Sequence, residues 1–301
     1  MKFPSNDDFC IFYNQEMMPE LRKADRVRRK ILLNNTILAA VVIIGFVIET
    51  MTWMLLAMLA IILFIFWFTH HYRIPFQYLE LLHEKIIISK TSAFIFSGFY
   101  YDRDKYIKLK DLQNGWIITG TPGQFNGKNL VAADMGNMRV QISEIYSSAN
   151  PKSYAYRDNT TYFNGLAGIA QFAMKNQNDV IITSENNYDS AMQSLTQEKI
   201  LIKKDTSSLL VYSSKQTEHN ISPAVLLHIK NYVDQTNNNV FISIRDSGVY
   251  AAISKNRDSI ITTNVFADLT QNGSALEYFT DVKFLVELFA YIERCALTTA
   301  S

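Results

Sequence analysis

Asp111, Ser143, Glu144 and His219 are the side chains of this chain whose types could do chemistry. A serine hydroxyl served by an imidazole or a carboxylate is the pairing that base-assisted nucleophilic attack requires. No GxSxG turn surrounds any serine, so a nucleophile elbow is excluded. His70 and His71 are expected beside a membrane, His83 and His228 on helices, and His219 in a polar loop beside Glu218. None makes HExxH or a comparable ligand pair, and no metal or other cofactor is expected. Thr121 to Lys128 (TPGQFNGK) imitates a phosphate loop, but Gly123 and Gly127 stand too close and Asn129 replaces the required Ser or Thr. A surface loop is expected there. Asp111, Gly115, Ser143 and Glu144 remain as a speculative surface site.

These residues must be carried by the elements around them, and one stretch dominates the chain. Ile31 to Phe68 is apolar almost throughout, and Glu49 is its only charged residue. Residues 31–48 and 51–68 would each span about 27 Å as a helix, close to a hydrocarbon core of about 30 Å. The expectation is a transmembrane hairpin with a turn at Glu49 and Thr50. Asn34, Asn35 and Thr36 fall at the inner end of the first span. Trp53 and Trp67 fall at belt positions. Arg22, Lys23, Arg26, Arg28, Arg29 and Lys30 precede the first span, and His70, His71 and Arg73 follow the second. Basic flanks stay on the cytoplasmic side, so both termini are expected there. Arg28, Arg29 and Lys30 then join the two Trp as anchoring residues. The basic run also suits anionic lipid headgroups.

Composition agrees with a folded, membrane-attached chain. The 301 residues include 19 Phe and 16 Tyr, and net charge is +1, which gives no global field for nucleic acid. The two cysteines, Cys10 and Cys295, form no disulfide framework.

In chain order, residues 1–30 are expected to form an amphipathic cytoplasmic segment carrying Phe9, Phe12, Tyr13 and Met17, with Pro19 interrupting or restarting its helix. Residues 69–92 are read as a juxtamembrane helix, and 93–301 as a β-rich domain, with 147–160 as a place where it could divide. Strands are expected at 93–101, 116–121, 138–146, 161–174, 180–183, 200–204, 209–213, 240–245, 249–254 and 259–263, and a turn at 122–127. Residues 186–197 suggest a short helix. A further helix should begin with Ser222 as N-cap and Pro223 in its first turn. The last helix, 281–295, carries an apolar stripe of Phe284, Leu285, Leu288, Phe289 and Ile292 expected to pack on the domain. The fold class is therefore α+β: a two-helix transmembrane hairpin and a β-rich cytoplasmic domain with a few amphipathic helices.

Several landmarks occur in a familiar order. They are Phe96-Ser97-Gly98-Phe99 with Tyr106, Asp111 and Gly115; Ile142-Ser143-Glu144-Ile145; Tyr162-Phe163-Asn164-Gly165-Leu166 before Val180 to Thr183; and Val211-Tyr212-Ser213 before Ile221-Ser222-Pro223 and the hairpin from Val240 to Ile253. This order resembles a bacterial membrane-protein family, domain of unknown function three-one-three-seven. Ala167 and Gly168 depart from it, where the family usually carries an aromatic. The resemblance implies an N-terminal helix, a double transmembrane segment and a long soluble region, located at the bacterial inner membrane. It implies no reaction.

The functional expectation is a membrane-anchored, cytoplasmic-facing binding or scaffold protein. Its partners would be the lipid bilayer and a membrane or cytoplasmic protein, not nucleic acid. The alternative is a membrane-bound enzyme using Asp111, Ser143, Glu144 or His219. A transporter or channel subunit is a third reading, but two spans with few internal polar groups make it a poor one unless the chain oligomerises.

Overall fold

The computed structural model describes residues 3–49, 63–64, 74–118, 121–148, 163–172, 179–184, 204–206, 209–213, 221–245, 247–255, 261 and 268–298. Most of the expected second span, with Trp53 and Trp67, lies outside them, as do the helix at 186–197, His219 and nearly all of the strand at 259–263. The protein is α+β, and among the described residues nine strands form an antiparallel sheet. The chain divides into two compact units.

The smaller unit comprises residues 5–90 and 261–276. Helix α1 (Asn6–Phe12) opens on a capping box in which Ser5 and Asp8 satisfy each other's backbone N–H groups. A π-helical turn (Tyr13–Met17) follows, and α2 (Met18–Glu49) restarts with Pro19 in its first turn, where a missing N–H costs nothing. Phe9, Tyr13, Met17, Leu21 and Ala24 bury one continuous face. Helix α3 (Ile74–Ile95) packs Leu79 against Ala24 and Leu269.

The larger unit holds the sheet. Its strands are β1 (Tyr100–Asp102), β2 (Gln124–Met135), β3 (Met138–Ser148), β4 (Phe163–Phe172), β5 (Val180–Thr183), β6 (Lys204–Thr206), β7 (Leu209–Ser213), β8 (Asn239–Arg245) and β9 (Gly248–Ser254). Their spatial order is β1-β2-β3-β4-β9-β8-β5-β7-β6. Helices α4 (Leu109–Asn114), α5 (Pro223–Thr236) and α6 (Gly273–Thr298) complete it. Ser222 caps α5 by accepting the Ala224 N–H, and left-handed Asn237 ends it.

Register shows why the strands lack clean alternation. Ser143, Ala167, Ala252, Phe241, Thr183 and Leu210 pair in line across the sheet, and all are buried on one face. Ile107, Leu112, Ile117 and Ile118 cover that face. On the other, a Cβ at Gly168 would press on Phe289 and Leu285 of α6. The sheet is thus a middle layer with both faces covered, so both residue parities are apolar. Phe284, Leu285, Leu288, Phe289 and Ile292 are all buried, as the packing expectation required.

Three local expectations are corrected. Residues 93–95 continue α3, because Phe94 packs on Phe279 at 5.9 Å and the Phe96 N–H still bonds the Ser92 carbonyl; strand begins only at Tyr100. Trp116 to Ile118 is no strand: the Trp116 and Ile117 N–H groups close the end of α4 on the Gln113 and Leu112 carbonyls. The turn at 122–127 gives way at Gln124 to β2, where pairing with Ser148 through Glu144 overrides the Gly and Asn turn signals.

Gly165 tests this packing. A Cβ there would strike the Ile253 carbonyl oxygen of the neighbouring strand, whereas one at Gly98 would meet nothing within 4 Å. Gly165→Ala should lower the Tm by more than about 4 °C and Gly98→Ala should leave it unchanged, read by thermal unfolding of the full chain.

Candidate functional site

Of the nominated residues, Ser143 and Glu144 are neighbours on β3, so their side chains leave opposite faces of the sheet. Both are buried and neither belongs to the surface. The Ser143 hydroxyl accepts the Ile107 N–H at 3.1 Å. Glu144 accepts from the Asn129 amide at 2.8 Å and from the Tyr146 hydroxyl at 2.5 Å, with the Lys128 ammonium at 3.9 Å. Asn129 stands at the bulge of β2 with φ 64°, and its side-chain amide oxygen accepts from the Tyr101 hydroxyl at 2.9 Å. This chain of bonds satisfies a buried carboxylate and pins the bulge. Asp111 is half-buried in α4, and Gly115 caps that helix with the Tyr250 ring against its Cα. Trp116, the next residue, takes φ 58°, rare for an aromatic, under the Arg245 guanidinium 3.7 Å from its ring. One substrate group could not meet Ser143 and Glu144 from opposite faces, so the enzyme reading gains nothing here. Among the described residues no three His, Cys, Asp or Glu gather to hold a metal.

Sequence reasoning missed the strongest buried charge. Lys255, just past β9, has a side chain 2% exposed and pairs with Asp281 and, at 2.7 Å, with Glu277. Asp281 is fully buried on α6 and accepts the Tyr232 hydroxyl of α5 at 2.6 Å. Asn238 donates to that hydroxyl at 3.2 Å. Burial, then the Asp281 charge, pushes the Tyr232 phenol well above its ordinary pKa, so it stays a donor. The cluster ties β9, α5 and α6 together. Its members are spread from 232 to 281, and no local spacing could reveal them.

The third arrangement is on α2. Asp25 is buried and accepts Arg28 Nε at 2.7 Å, Arg29 Nε at 2.6 Å and the Leu269 N–H at 3.3 Å. Arg29 also reaches Asp268 at 3.4 Å. The Thr270 hydroxyl and N–H hold Asp268 below its usual carboxylate range. Tyr13 donates to the Thr270 carbonyl, and burial, with the Asp268 charge, raises its phenol to about 12. Arg28, expected among the anchoring cations, is therefore an internal partner, while Lys30 is exposed.

At 100° per residue, Leu21, Ala24, Asp25 and Arg28 share the buried side of α2. Arg22, Lys23, Arg26, Arg29 and Lys30 occupy an arc of roughly 120° on the opposite side, all exposed. Leu33, Ile37 and Ala40 continue that same side and are exposed as well, Leu33 at 60% and Ile37 at 55%. Ile43, further along, is 62% exposed. One surface of one helix thus changes from cationic to apolar between Lys30 and Leu33.

Residues 161–293 match the family model described as Protein of unknown function (DUF3137). The resemblance drawn from ordered motifs holds over that stretch, which runs from β4 into α6 and contains the Lys255 cluster. Neither a curated protein nor a solved structure matches the chain.

Removing one partner of a buried pair strands the other charge. Lys255→Met should cost about 3–5 kcal/mol, and Lys255→Met with Asp281→Leu should recover most of it. Denaturant unfolding of the four proteins checks this; purely additive losses would contradict an ion-paired lock.

Proposed function

We propose that this protein is anchored in a membrane by the hairpin of residues 31–68 and presents its sheet unit as a binding or scaffold module on the cytoplasmic side. Both termini lie on that side, and the bilayer is the bacterial inner membrane, as the family resemblance implies. The reading rests chiefly on the change of solvent required along α2. Leu33, Ile37 and Ile43 are exposed on a helix whose preceding turns expose Arg and Lys. Each such side chain left in water forgoes ~1.5–3 kcal/mol of burial. Three together approach the whole stability of a domain, about 5–15 kcal/mol. Hydrocarbon removes that cost, and the basic turns before it suit the positive-inside rule. No helix among the described residues meets the length and apolarity of a membrane span, and most of the expected second span lies outside them. The anchor is therefore argued from the exposed face of α2 together with the sequence of 31–68.

A binding role suits the sheet unit because its buried polar groups are engaged inside the fold: Ser143 with Ile107, Glu144 with Asn129 and Tyr146, Lys255 with Asp281. They hold the architecture together and leave the outer surface to meet a partner.

Alkaline carbonate extraction of cells expressing the full chain tests the anchor. The protein should stay in the membrane pellet, and Ile37→Asp with Ile43→Asp should release most of it. Wild-type protein in the carbonate supernatant would overturn the reading.

A further inference from the structure

The exposed cations of α2 are not equivalent. Arg28 is buried on Asp25, and Arg29, though exposed, is held between Asp25 and Asp268. Arg22, Lys23, Arg26 and Lys30 are exposed on the side facing away from these carboxylates, and no ion pair engages them among the described residues. Arg22, Arg26 and Lys30 recur at i, i+4 and i+8, with Lys23 beside them, so all four point into one sector. The sector ends where Leu33 begins the exposed apolar surface. Tyr78 of α3 is 64% exposed, beside Leu79, which packs on Ala24 at the level of the cations. An aromatic ring carrying a hydroxyl suits the headgroup layer.

We propose that Arg22, Lys23, Arg26 and Lys30 form a binding face for the phosphates of anionic phospholipids, so that the protein selects negatively charged lipid around its anchor. The inference rests on the membrane reading above and adds a ligand class to it. A general topology signal needs only positive charge near a span. Here Asp25 and Asp268 pair with Arg28 and Arg29, and the fold leaves four others on one side of the helix, along the turns that lead up to the plane where it becomes apolar. Lipid phosphate lies at that plane, charge is complementary, and attraction is short-ranged and weakened by salt. Guanidinium groups can also grip phosphate oxygens two at a time.

The test is thermal unfolding of the full chain in neutral detergent with added phosphatidylglycerol, phosphatidylcholine of equal chain length, or inorganic phosphate. Phosphatidylglycerol should raise the Tm by more than about 3 °C over phosphatidylcholine, and high salt should remove the difference. The R22Q/K23Q/R26Q/K30Q variant should lose the preference, while K108Q/K110Q, altered at exposed lysines of the sheet unit, should keep it. Equal response to the two lipids, a preference that survives high salt or the quadruple change, or a full response to inorganic phosphate would overturn the proposal. If the quadruple variant does not fold, the wild-type lipid and salt arms decide alone. A protein that resists carbonate extraction yet shows no lipid preference would defeat this inference and leave the anchor standing.

Discussion

In the proposed arrangement a single helix must satisfy two solvents, and that requirement constrains everything near the N-terminus. Over the first turns of α2, Leu21, Ala24, Asp25 and Arg28 form its buried side. The opposite side changes abruptly from Arg and Lys to Leu and Ile. An α-helix cannot adjust to such a change by bending its backbone polarity, because its N–H and C=O groups are already paired internally. In the proposed arrangement it is the surroundings that change. The collar built on Asp25 and Asp268 then has a clear purpose in the proposed arrangement. It fixes the rotation of α2 about its axis, and so decides which side meets solvent. Arg28 and Arg29 are spent on that orientation, and the cations left over project outward.

The larger unit solves a different problem. Its sheet is covered on both faces, so the polar groups inside it must be satisfied by the protein. Ser143 and Glu144 are two such groups on opposite faces, each given donors by non-local partners. Lys255 is the extreme case, an ammonium nearly excluded from water and neutralised by Asp281 and Glu277. Such a pair adds little net stability over an apolar equivalent, but it penalises any packing of α6 that separates its charges. This cluster lies within the stretch that matches the DUF3137 model, while α2 and the bulge of β2 precede it.

Much of the architecture could be read locally. Ser222 and Pro223 announced α5, the strands expected at 240–245 and 249–254 pair as β8 and β9, and the stripe on α6 predicted its own burial. The failures share a cause. At 93–95 and 116–118, β-branched and aromatic residues were read as strand, yet Phe94 extends a helix against Phe279 and Ile117 fills the core from the end of α4. Residue type reported burial there, and burial does not specify backbone conformation. The candidate site was less legible. Ser143 and Glu144 stand out because their side chains could do chemistry at a surface, but the sequence could not tell a satisfied buried group from an exposed reactive one. The Lys255 cluster was invisible because its charges meet only through the sheet. The basic run before Ile31 was plain in the sequence; its division into internal and outward cations required Asp25 and Asp268 to be placed.

The central claim is that the outward side of α2 passes from water through headgroups into hydrocarbon between Lys30 and Leu33. Single spin labels at Arg26, Leu33, Ile37 and Ala40, in the full chain reconstituted into vesicles, measure it through their relative accessibility to oxygen and to a polar nickel relaxant. The account predicts nickel dominance at Arg26, near-equal access at Leu33, and oxygen dominance that deepens from Ile37 to Ala40. Nickel dominance at all four positions would place α2 in water and contradict the account.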